Sequence, residues 1–235
     1  MAQMVFNRYE KKYLLSREQY EKLMEKVKPY VKEDLYKEYE IRNIYYDTEQ
    51  NELIRTSIEK PVYKEKFRIR CYGQPTKDSK VFLEIKKKYN GLVNKRRITL
   101  PYSEAEAYLK GNREQVLNKQ ISGEITYLME RYELKPRLYL AYNRIAFSGL
   151  EDDGFRLTFD YNIRGRWEEL NLVSDEKVES LLEEGQRLME VKVNNALPLW
   201  FVKILSELEI RSTSFSKYGL FYRKHCKEGY ICYEL

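Results

Sequence analysis

Charged and apolar residues alternate along several segments of this chain, and the alternation limits the folds available to it. In residues 62–73, VYKEKFRIRCYG, a cation stands at every second position and mostly apolar residues stand between them. The cations are Lys64, Lys66, Arg68 and Arg70. Because successive side chains of a β-strand point to opposite faces, this segment predicts a strand with one cationic face and one apolar face.

The same alternation recurs in five further segments. They are 80–88 (KVFLEIKKK), 94–101 (NKRRITLP), 137–147 (RLYLAYNRIAF), 154–163 (GFRLTFDYNI) and 188–193 (LMEVKV). Their charged faces are mostly Lys and Arg, and like charges on adjacent strands repel, so stability alone does not explain the pattern. A closed antiparallel β-barrel accommodates it, since a charged interior can bind an anionic ligand while helices pack on the apolar outside. We therefore expect an α+β fold of this kind.

Helical signals separate these strands. Ser16 with Gln19, and Ser103 with Glu106, have the spacing of capping boxes at helix starts. The expected helices lie within 17–30, 104–111, 112–133 and 196–210, the last of them beginning near Pro198. The expected apolar face of that last helix consists of Leu199, Val202 and Leu205. No linker or composition break divides the chain, so we expect one domain over residues 1–235.

The composition indicates an anionic partner and a reducing compartment. Lys and Arg number 43 against 37 Asp and Glu, which gives a net charge of +6. The cysteines Cys71, Cys226 and Cys232 are scattered, odd in number and without metal-ligand spacing, so they do not indicate a disulfide framework. No run approaches the roughly 20 apolar residues that span a bilayer, and the N-terminus has no apolar signal core. We expect a cytoplasmic protein without a membrane segment.

Several catalytic machineries are excluded by the residues present. His225 is the only histidine, and it lies in the basic segment YRKHCK, which we interpret as a tail without a role. A serine–histidine or cysteine–histidine nucleophile is therefore not expected. The chain also lacks the GxxxxGK(S/T) and GxGxxG loops that bind phosphates through backbone N–H groups. Any phosphate that the protein binds must contact side chains.

Eight segments, in order, resemble the motifs of the triphosphate tunnel metalloenzymes, and more narrowly the catalytic domain of the VTC polyphosphate polymerases. They are RYEKKYLL, IRNIYYDT, KFRIRCYG, VFLEIKKKYNGLVNKRR, AYNRIAF, FRLTFD, LMEVKV and SFSKYGL, and they extend over nearly the whole chain. Glu10 and Lys12 match the second and third positions of the superfamily's ExExK motif. Arg8 stands in place of the first Glu, which departs from the hydrolase branch.

The resemblance implies a tunnel barrel that holds a nucleoside triphosphate by its phosphates. The family's polymerases use Mn²⁺ or Mg²⁺ to transfer the γ-phosphate of ATP to a growing polyphosphate chain, and they release ADP. It implies phosphate contacts for Lys12, Arg68, Arg70, Lys86, Arg144, Arg156, Lys192 and Lys217, hydrogen bonds from Tyr142 and Ser216, and a metal ligand at Glu190. The expected catalytic residues among these are Lys12, Arg68, Arg70, Arg144, Arg156 and Lys217.

The residue types themselves are consistent with this chemistry. Phosphoryl transfer depends on charge neutralisation and positioning, and arginine forks match phosphate oxygens. The strand pattern adds Lys66 and Arg97 as phosphate ligands, although Lys95 shares a face with Arg97 and the pattern does not decide between them.

Two further carboxylates are candidates for the metal, because hard cations prefer carboxylate oxygens. They are Glu10 and Glu84. An ion pair of Glu84 with Lys86 or Arg97 is an equally good interpretation, and Asp160 is a candidate for orienting an arginine.

The identity of the attacking group separates the possible reactions. The terminal phosphate of polyphosphate is already anionic, whereas water needs a base, so a face rich in arginine and poor in glutamate suits polyphosphate. We favour a polymerase acting on ATP and inorganic polyphosphate over a tripolyphosphatase or nucleoside triphosphatase, or a non-catalytic polyphosphate binder. Nucleic acid is not the expected partner, because Phe67 and Ile69 lie opposite the arginines and do not form a stacking platform beside them. The oligomeric state is left open.

Overall fold

Nine β-strands and six α-helices form the parts of the chain that this computed structural model describes, residues 9–90, 92–112 and 119–227 without the side chains of 226 and 227. The strands are β1 (Tyr9–Leu15), β2 (Val31–Asp47), β3 (Tyr63–Tyr72), β4 (Lys80–Tyr89), β5 (Leu92–Pro101), β6 (Lys135–Gly149), β7 (Arg156–Arg166), β8 (Glu179–Ser180) and β9 (Arg187–Val193). The helices are α1 (Arg17–Val27), α2 (Glu52–Ile58), α3 (Tyr102–Leu109), α4 (Lys119–Arg131), α5 (Leu199–Glu207) and α6 (Lys217–Lys227).

The strands are hydrogen-bonded in the order β1-β9-β7-β6-β2-β3-β4-β5, and β8 pairs with β7. The pairings of β1 with β9, β9 with β7, and β2 through β5 in sequence are antiparallel. An antiparallel sheet with helices, as the sequence predicts, is therefore confirmed. Among the described residues the order ends at β1 and at β5, so closure into a barrel is not shown and stays a prediction.

The chain divides into two compact units. Unit 1 contains the residues up to Glu40, Tyr142–Ile163 and Leu182–Ser216. Unit 2 contains Ile41–Ala141, Arg164–Leu181 and the residues from Lys217 onwards. Three strands, β2, β6 and β7, contribute residues to both units. That residues 1–235 form a single domain stays a prediction.

Each unit buries an apolar sheet face under helices. In unit 1, apolar residues of β1, β7 and β9 form a core with Leu23 of α1 and Phe201 of α5. In unit 2, apolar residues of β2 to β5 form a core with Tyr108 of α3 and Leu128 of α4. Because the strand period is two, the opposite sheet face in each unit carries the charged residues. No helix of the described residues is both long and apolar enough to cross a bilayer.

The helix starts agree only partly with the capping signals. Ser16 and Gln19 form the expected capping box at the start of α1. The second expected box is wrong, because α3 begins at Tyr102 after Pro101, and no side chain caps it. There, the N–H groups of Tyr102 and Ser103 donate to the backbone carbonyls of Ser79 and Lys77 in the loop between β3 and β4, which satisfies them without a side-chain cap.

Helix α4 is shorter than the segment predicted for it, and helix α5 buries a different face from the one predicted. Helix α4 occupies Lys119–Arg131 of the segment 112–133, in which residues 113–118 lie outside the described part. Helix α5 buries Phe201, Ile204 and Leu205, whereas Leu199 is 78% exposed. The predicted apolar face of α5 is therefore largely wrong. Both stripes of this helix are apolar in sequence, so periodicity alone could not identify the buried one.

The segment predicted as a basic tail is instead the helix α6. His225 is buried there, and its ring stacks on Phe221 and meets the indole of Trp167 edge-on. The expectation of a tail residue is wrong because Phe221, Tyr222 and His225 form one buried stripe at helical spacing.

Asp47, at the end of β2, fixes the start of α2 and anchors α6. Its Oδ1 accepts hydrogen bonds from the N–H groups of Thr48 and Leu53, each at 2.8 Å. Its Oδ2 accepts from the N–H of Ile54 and the hydroxyl of Tyr218, each at 3.0 Å. The side chain is fully buried, so four donors depend on one carboxylate.

We expect Asp47→Ala to lower the free energy of unfolding by about 3 kcal/mol, because buried donors lose a charged acceptor. Tyr218→Phe removes one of the four bonds, so its loss should be about 1 kcal/mol. Urea denaturation followed by circular dichroism measures both. The exposed Asp78→Ala is the control, and equal effects of Asp47→Ala and Asp78→Ala would contradict the interpretation.

Candidate functional site

The polar face of β3, β4 and β5 in unit 2 is strongly cationic. It carries Lys66, Arg68, Arg70, Lys86, Lys95 and Arg97. The register places Lys66 directly opposite Lys86, and Lys86 directly opposite Lys95. Three lysines thus form a row across three neighbouring strands. Like charges in directly opposed positions destabilise a sheet, so this lysine row indicates a surface that binds an anion.

The next row places a carboxylate between arginines. Glu84 lies opposite Arg68 on one side and Arg97 on the other. The Nε and Nη2 atoms of Arg68 lie 2.9 and 2.8 Å from Oε2 of Glu84. The Nη1 atom of Arg68 donates to the hydroxyl of Tyr45 at 2.8 Å. The Arg68 guanidinium is therefore held from two sides in a fixed orientation.

Glu84 makes ion pairs with two further cations. Its Oε1 lies 2.7 Å from Nζ of Lys95, and its Oε2 lies 3.7 Å from Nε of Arg70. Arg70 also donates through Nε to Oδ1 of Asn43 at 3.1 Å. Burial of Glu84 opposes its ionisation, but Arg68, Arg70 and Lys95 outweigh burial and lower its pKa to about 2. At neutral pH, Glu84 is a buried anion that neutralises part of this cationic face.

The sequence left open whether Glu84 binds a metal or forms an ion pair, and whether Arg97 or Lys95 contacts phosphate. Glu84 forms ion pairs, but with Arg68, Arg70 and Lys95, while the guanidinium of Arg97 lies 4.6 Å from the centre of the Phe82 ring. Both oxygens of Glu84 are engaged by cations, which favours a counter-ion over a metal ligand. A role of Glu84 in metal binding stays a prediction that the geometry does not favour.

Two groups on this face, Tyr45 and Lys95, have pKa values lowered to about 8, which is closer to neutral pH than their ordinary values. Burial raises the pKa of Tyr45, but Arg68, Lys66 and Arg70 outweigh it and bring the value down to about 8. Burial lowers the pKa of Lys95 to about 8, because the attraction of Glu84 only partly offsets burial and the repulsion of Arg70 and Arg68. Both shifts report a high density of positive charge around these side chains.

The polar face of unit 1 has mixed charges. Lys12 on β1 lies opposite Glu190 on β9, and its Nζ is 3.3 Å from Oε1 of Glu190. The same Nζ lies 3.5 Å from Oε1 of Glu10 and donates to the carbonyl oxygen of Phe215 at 3.1 Å. Oε2 of Glu10 is 3.5 Å from Nζ of Lys192. Lys12 therefore bridges two carboxylates that are candidate metal ligands.

Arg144 joins the same set of charges. Its Nε and Nη2 donate to the two oxygens of Asp160 at 2.6 and 2.7 Å, and Nη2 also lies 3.3 Å from Oε2 of Glu190. Its guanidinium carbon lies 5.4 Å from the centre of the Tyr142 ring. Burial would lower the pKa of Arg144, but Tyr142, Asp160 and Glu190 raise it, so Arg144 stays charged. The fork-like contact agrees with the interpretation of Asp160 as a residue that orients an arginine.

Two further predicted phosphate ligands, Arg156 and Lys192, have exposed side chains. Arg156 donates through Nη2 to Oδ2 of Asp34 at 2.8 Å, and its side chain is half exposed. Lys192 is similarly exposed beside Glu10. Ser216 directly precedes α6, and Lys217 is the first residue of that helix. Arg8 lies outside the described residues.

The carboxylates of unit 1 fit one mode of binding a divalent cation. Within residues 9–90, 92–112 and 119–227, no group of three His, Cys, Asp or Glu side chains is arranged to hold a metal. Mg²⁺, however, is commonly held by one or two carboxylates together with substrate phosphates. Glu190, which is nearly buried, and Glu10 beside it fit that second mode and not a cage made of protein ligands alone.

The sequence interpretation missed two residues of the cationic face. Tyr45 contacts Arg68, and Asn43 contacts Arg70. The signal for them was present, because Asn43 and Tyr45 alternate with Ile44 in IRNIYYDT at the period of a strand. Neither is charged, so a search for cations and carboxylates passed over them.

Comparison with known proteins identifies the family. The sequence model of the VTC domain matches residues 7–224. The chain belongs to the VTC domain family. This VTC domain is 28% identical over 154 residues to vacuolar transporter chaperone complex subunit 4 of Trypanosoma brucei brucei. The match covers 53% of this chain and 19% of the relative, so the chain spans about a fifth of that relative's length.

Solved structures of low sequence identity share the fold of this VTC domain. A proposed adenylyl cyclase from Hippeastrum, described as having a dominant triphosphatase activity, is 17% identical with a TM-score of 0.55, over 92% of this chain and 95% of that one. A proposed adenylate cyclase from Bacillus halodurans is 16% identical with a TM-score of 0.51, over 89% and 95%. At these identities, both structures show the fold alone.

We expect the stability of this VTC domain to depend on the ionisation of Glu84. Its folded-state pKa of about 2 lies below the ordinary value of 4.5, so its stabilising contribution is present above pH 4.5 and is lost as the pH falls towards 2. The difference in unfolding free energy between the wild type and Glu84→Gln should narrow by about 2 kcal/mol between pH 6 and pH 3.

Urea denaturation at several pH values measures that difference. Glu104→Gln, on the exposed first turn of α3, is the matched control and should differ from the wild type by a small, constant amount. A difference for Glu84→Gln that does not change with pH would contradict the ion-paired state of Glu84.

Proposed function

We propose that this VTC domain is a metal-dependent polyphosphate polymerase that transfers the γ-phosphoryl group of ATP to inorganic polyphosphate. A terminal oxygen of the polyphosphate chain forms a bond to the γ-phosphorus, the bond between that phosphorus and the β–γ bridging oxygen breaks, and ADP leaves. Membership of the VTC domain family supports the proposal. The similarity to a vacuolar transporter chaperone complex subunit also supports it, although only part of that protein is matched.

The lysine row is the observation that carries the proposal. Lys66, Lys86 and Lys95 are directly opposed across three strands, and such a row becomes favourable when phosphate oxygens lie over it. Arg68 and Arg70, held by Glu84, Tyr45 and Asn43, can donate to phosphate without losing much side-chain entropy on binding. A polymer of phosphates presents repeated anions that match repeated cations.

The protonation states favour a phosphate acceptor over water. Water needs a base to become a nucleophile, and the carboxylate of the cationic face, Glu84, is a weak base because three cations hold its pKa at about 2. The terminal phosphate of polyphosphate is already anionic, so it requires neutralisation of charge and correct positioning. The cations of this face supply the neutralisation.

The mixed face of unit 1 supplies carboxylates for Mn²⁺ or Mg²⁺. We assign the metal to Glu190, with Glu10 as its neighbour, and when bound the cation would neutralise phosphate oxygens and polarise the transferring group. Arg144, oriented by Asp160, and Lys12, between the two carboxylates, are the phosphate ligands proposed on this face. Arg156, Lys192, Tyr142, Ser216, Lys217 and Arg97 are proposed as further phosphate contacts.

A reducing compartment such as the cytoplasm suits this domain. Cys71 forms no disulfide with a described residue and lies buried among the apolar residues of unit 2. The partners proposed are ATP and inorganic polyphosphate.

Lys86 and Lys87 provide a matched test, because they are neighbours on β4 that point to opposite faces. Lys86 is exposed in the lysine row, whereas Lys87 contacts Glu65 and Glu124 on the other face. We expect Lys86→Gln to lower polymer formation from ATP and Mn²⁺ by about tenfold or more, since a charged contact with phosphate is lost. Lys87→Gln should stay within about twofold of the wild type.

The products separate the proposal from its alternatives. ADP, free phosphate and acid-stable polyphosphate are quantified in the same reactions. Polymer formation that falls in Lys86→Gln and persists in Lys87→Gln supports the proposal. ADP with an equal amount of free phosphate would indicate a triphosphatase, and polyphosphate binding without ADP would indicate a non-catalytic binder.

A further inference from the structure

Exposed apolar side chains gather at one end of strands β3, β4 and β5 in unit 2. They are Val62, Tyr63, Tyr89, Leu92 and Val93, which we call the apolar tip. Val62 is 65% exposed, Tyr89 62% and Leu92 70%. Single exposed apolar residues are ordinary on a protein surface, but a contiguous group of five marks an interaction surface.

The hydrogen-bonding register brings these residues together. Tyr63 lies opposite Tyr89, and Tyr89 lies opposite Leu92. The N–H of Asn90 donates to the carbonyl oxygen of Val62 at 2.8 Å, which places Val62 at the same end. Tyr63, Tyr89 and Leu92 share one face of the strands, and Val93 lies on the other. Apolar side chains are therefore exposed on both faces of the strand end, and on the second face Val93 lies beside Lys88.

Positive charges surround the apolar tip. Lys64 lies opposite Lys88, and Lys88 lies opposite Val93. Burial and the charges of Lys88 and Lys60 lower the pKa of Lys64, so three lysines are close enough to repel one another. Of the two acidic side chains on these strands, Glu65 is the nearer to the tip, and it accepts a hydrogen bond from Tyr63 and lies 3.9 Å from Lys87. The surroundings of the tip therefore favour an anionic partner.

We propose that the apolar tip docks on an anionic lipid surface. Its aliphatic side chains would enter the boundary of the acyl chains, the two tyrosines would lie at the level of the headgroups, and Lys60, Lys64 and Lys88 would contact lipid phosphates or carboxylates. This surface is separate from the proposed activity and does not depend on it.

Other occupants fit less well. A second copy docked through the same surface would bring Lys64 and Lys88 against like charges, which disfavours a symmetric dimer. A nucleic acid would contact the lysines, but Val62, Leu92 and Val93 offer no stacking surface for bases. A lipid surface uses the apolar and the cationic residues together.

Vesicle flotation of the full chain tests the proposal. The vesicles are phosphatidylcholine alone, or phosphatidylcholine with phosphatidylserine in a ratio of roughly 7:3. We expect the wild type to bind the anionic vesicles at least about tenfold more strongly than the neutral ones, and to dissociate as salt is raised. Replacing Leu92 and Val93 together by Ser should weaken binding by about tenfold or more, and Lys60→Gln by about fivefold.

Leu199→Ser is the matched control, since Leu199 is an exposed leucine on α5 in unit 1. It should bind vesicles like the wild type. The Leu92→Ser, Val93→Ser double variant should keep the wild-type rate of ATP turnover without vesicles, because neither residue is assigned to phosphate or metal. Loss of vesicle binding with retained turnover therefore supports the docking surface, and failure of turnover in the wild type bears only on the proposed activity.

Three results would overturn the proposal. The first is equal binding of the wild type to neutral and anionic vesicles. The second is unchanged binding of the double variant together with complete displacement by polyphosphate, which would show that the lysine row binds the lipid. The third is self-association of the wild type that the double variant abolishes, which would assign the tip to a contact between copies.

Discussion

A buried carboxylate makes the cationic sheet face of unit 2 possible. Glu84 lies 2% exposed between β3 and β5, where it pairs with Arg68, Arg70 and Lys95. Its negative charge offsets part of the repulsion among these cations, which the spacing of the strands holds close together. In the proposed function, phosphate groups of a ligand would offset more of that positive charge. The ion pairs of Glu84 therefore stabilise the sheet and neutralise part of the positive charge on this face.

The two units carry different chemistry on the same kind of surface. In unit 2, the polar face is dominated by cations, and neutral groups such as Tyr45 and Asn43 hold the arginines in place. In unit 1, carboxylates and cations alternate, so Lys12 and Arg144 each contact Glu190. Cations suit phosphate, and clustered carboxylates suit a divalent ion. Each unit thus carries one kind of residue that the proposed phosphoryl transfer would use.

The strands and their two faces could be predicted from the sequence, because a strand's period of two is a local property. The capping box of Ser16 and Gln19 is local too, and it is present. The start of α3 could not be predicted in the same way. Its first N–H groups donate to the loop between β3 and β4, which is far from α3 in the sequence. For α5, two apolar stripes compete and only tertiary packing selects Phe201 over Leu199. In the candidate site, too, some features follow from local sequence and others from tertiary packing. The alternating strands predicted most of the charged residues, and the family resemblance added Glu10, Lys12 and Lys217. The pairing of Glu84 with Lys95 and of Arg68 with Tyr45 depends on strand register and side-chain reach.

The transfer of label from ATP tests the central claim most directly. The wild-type domain is incubated with γ-labelled ATP, Mn²⁺ and a short polyphosphate, and the label in polymer, in free phosphate and in remaining ATP is counted against the ADP formed. A polymerase predicts that the label lost from ATP is recovered in polymer, in an amount equal to ADP, with little free phosphate. Recovery of the label as free phosphate equal to ADP, with none in polymer, would contradict the account.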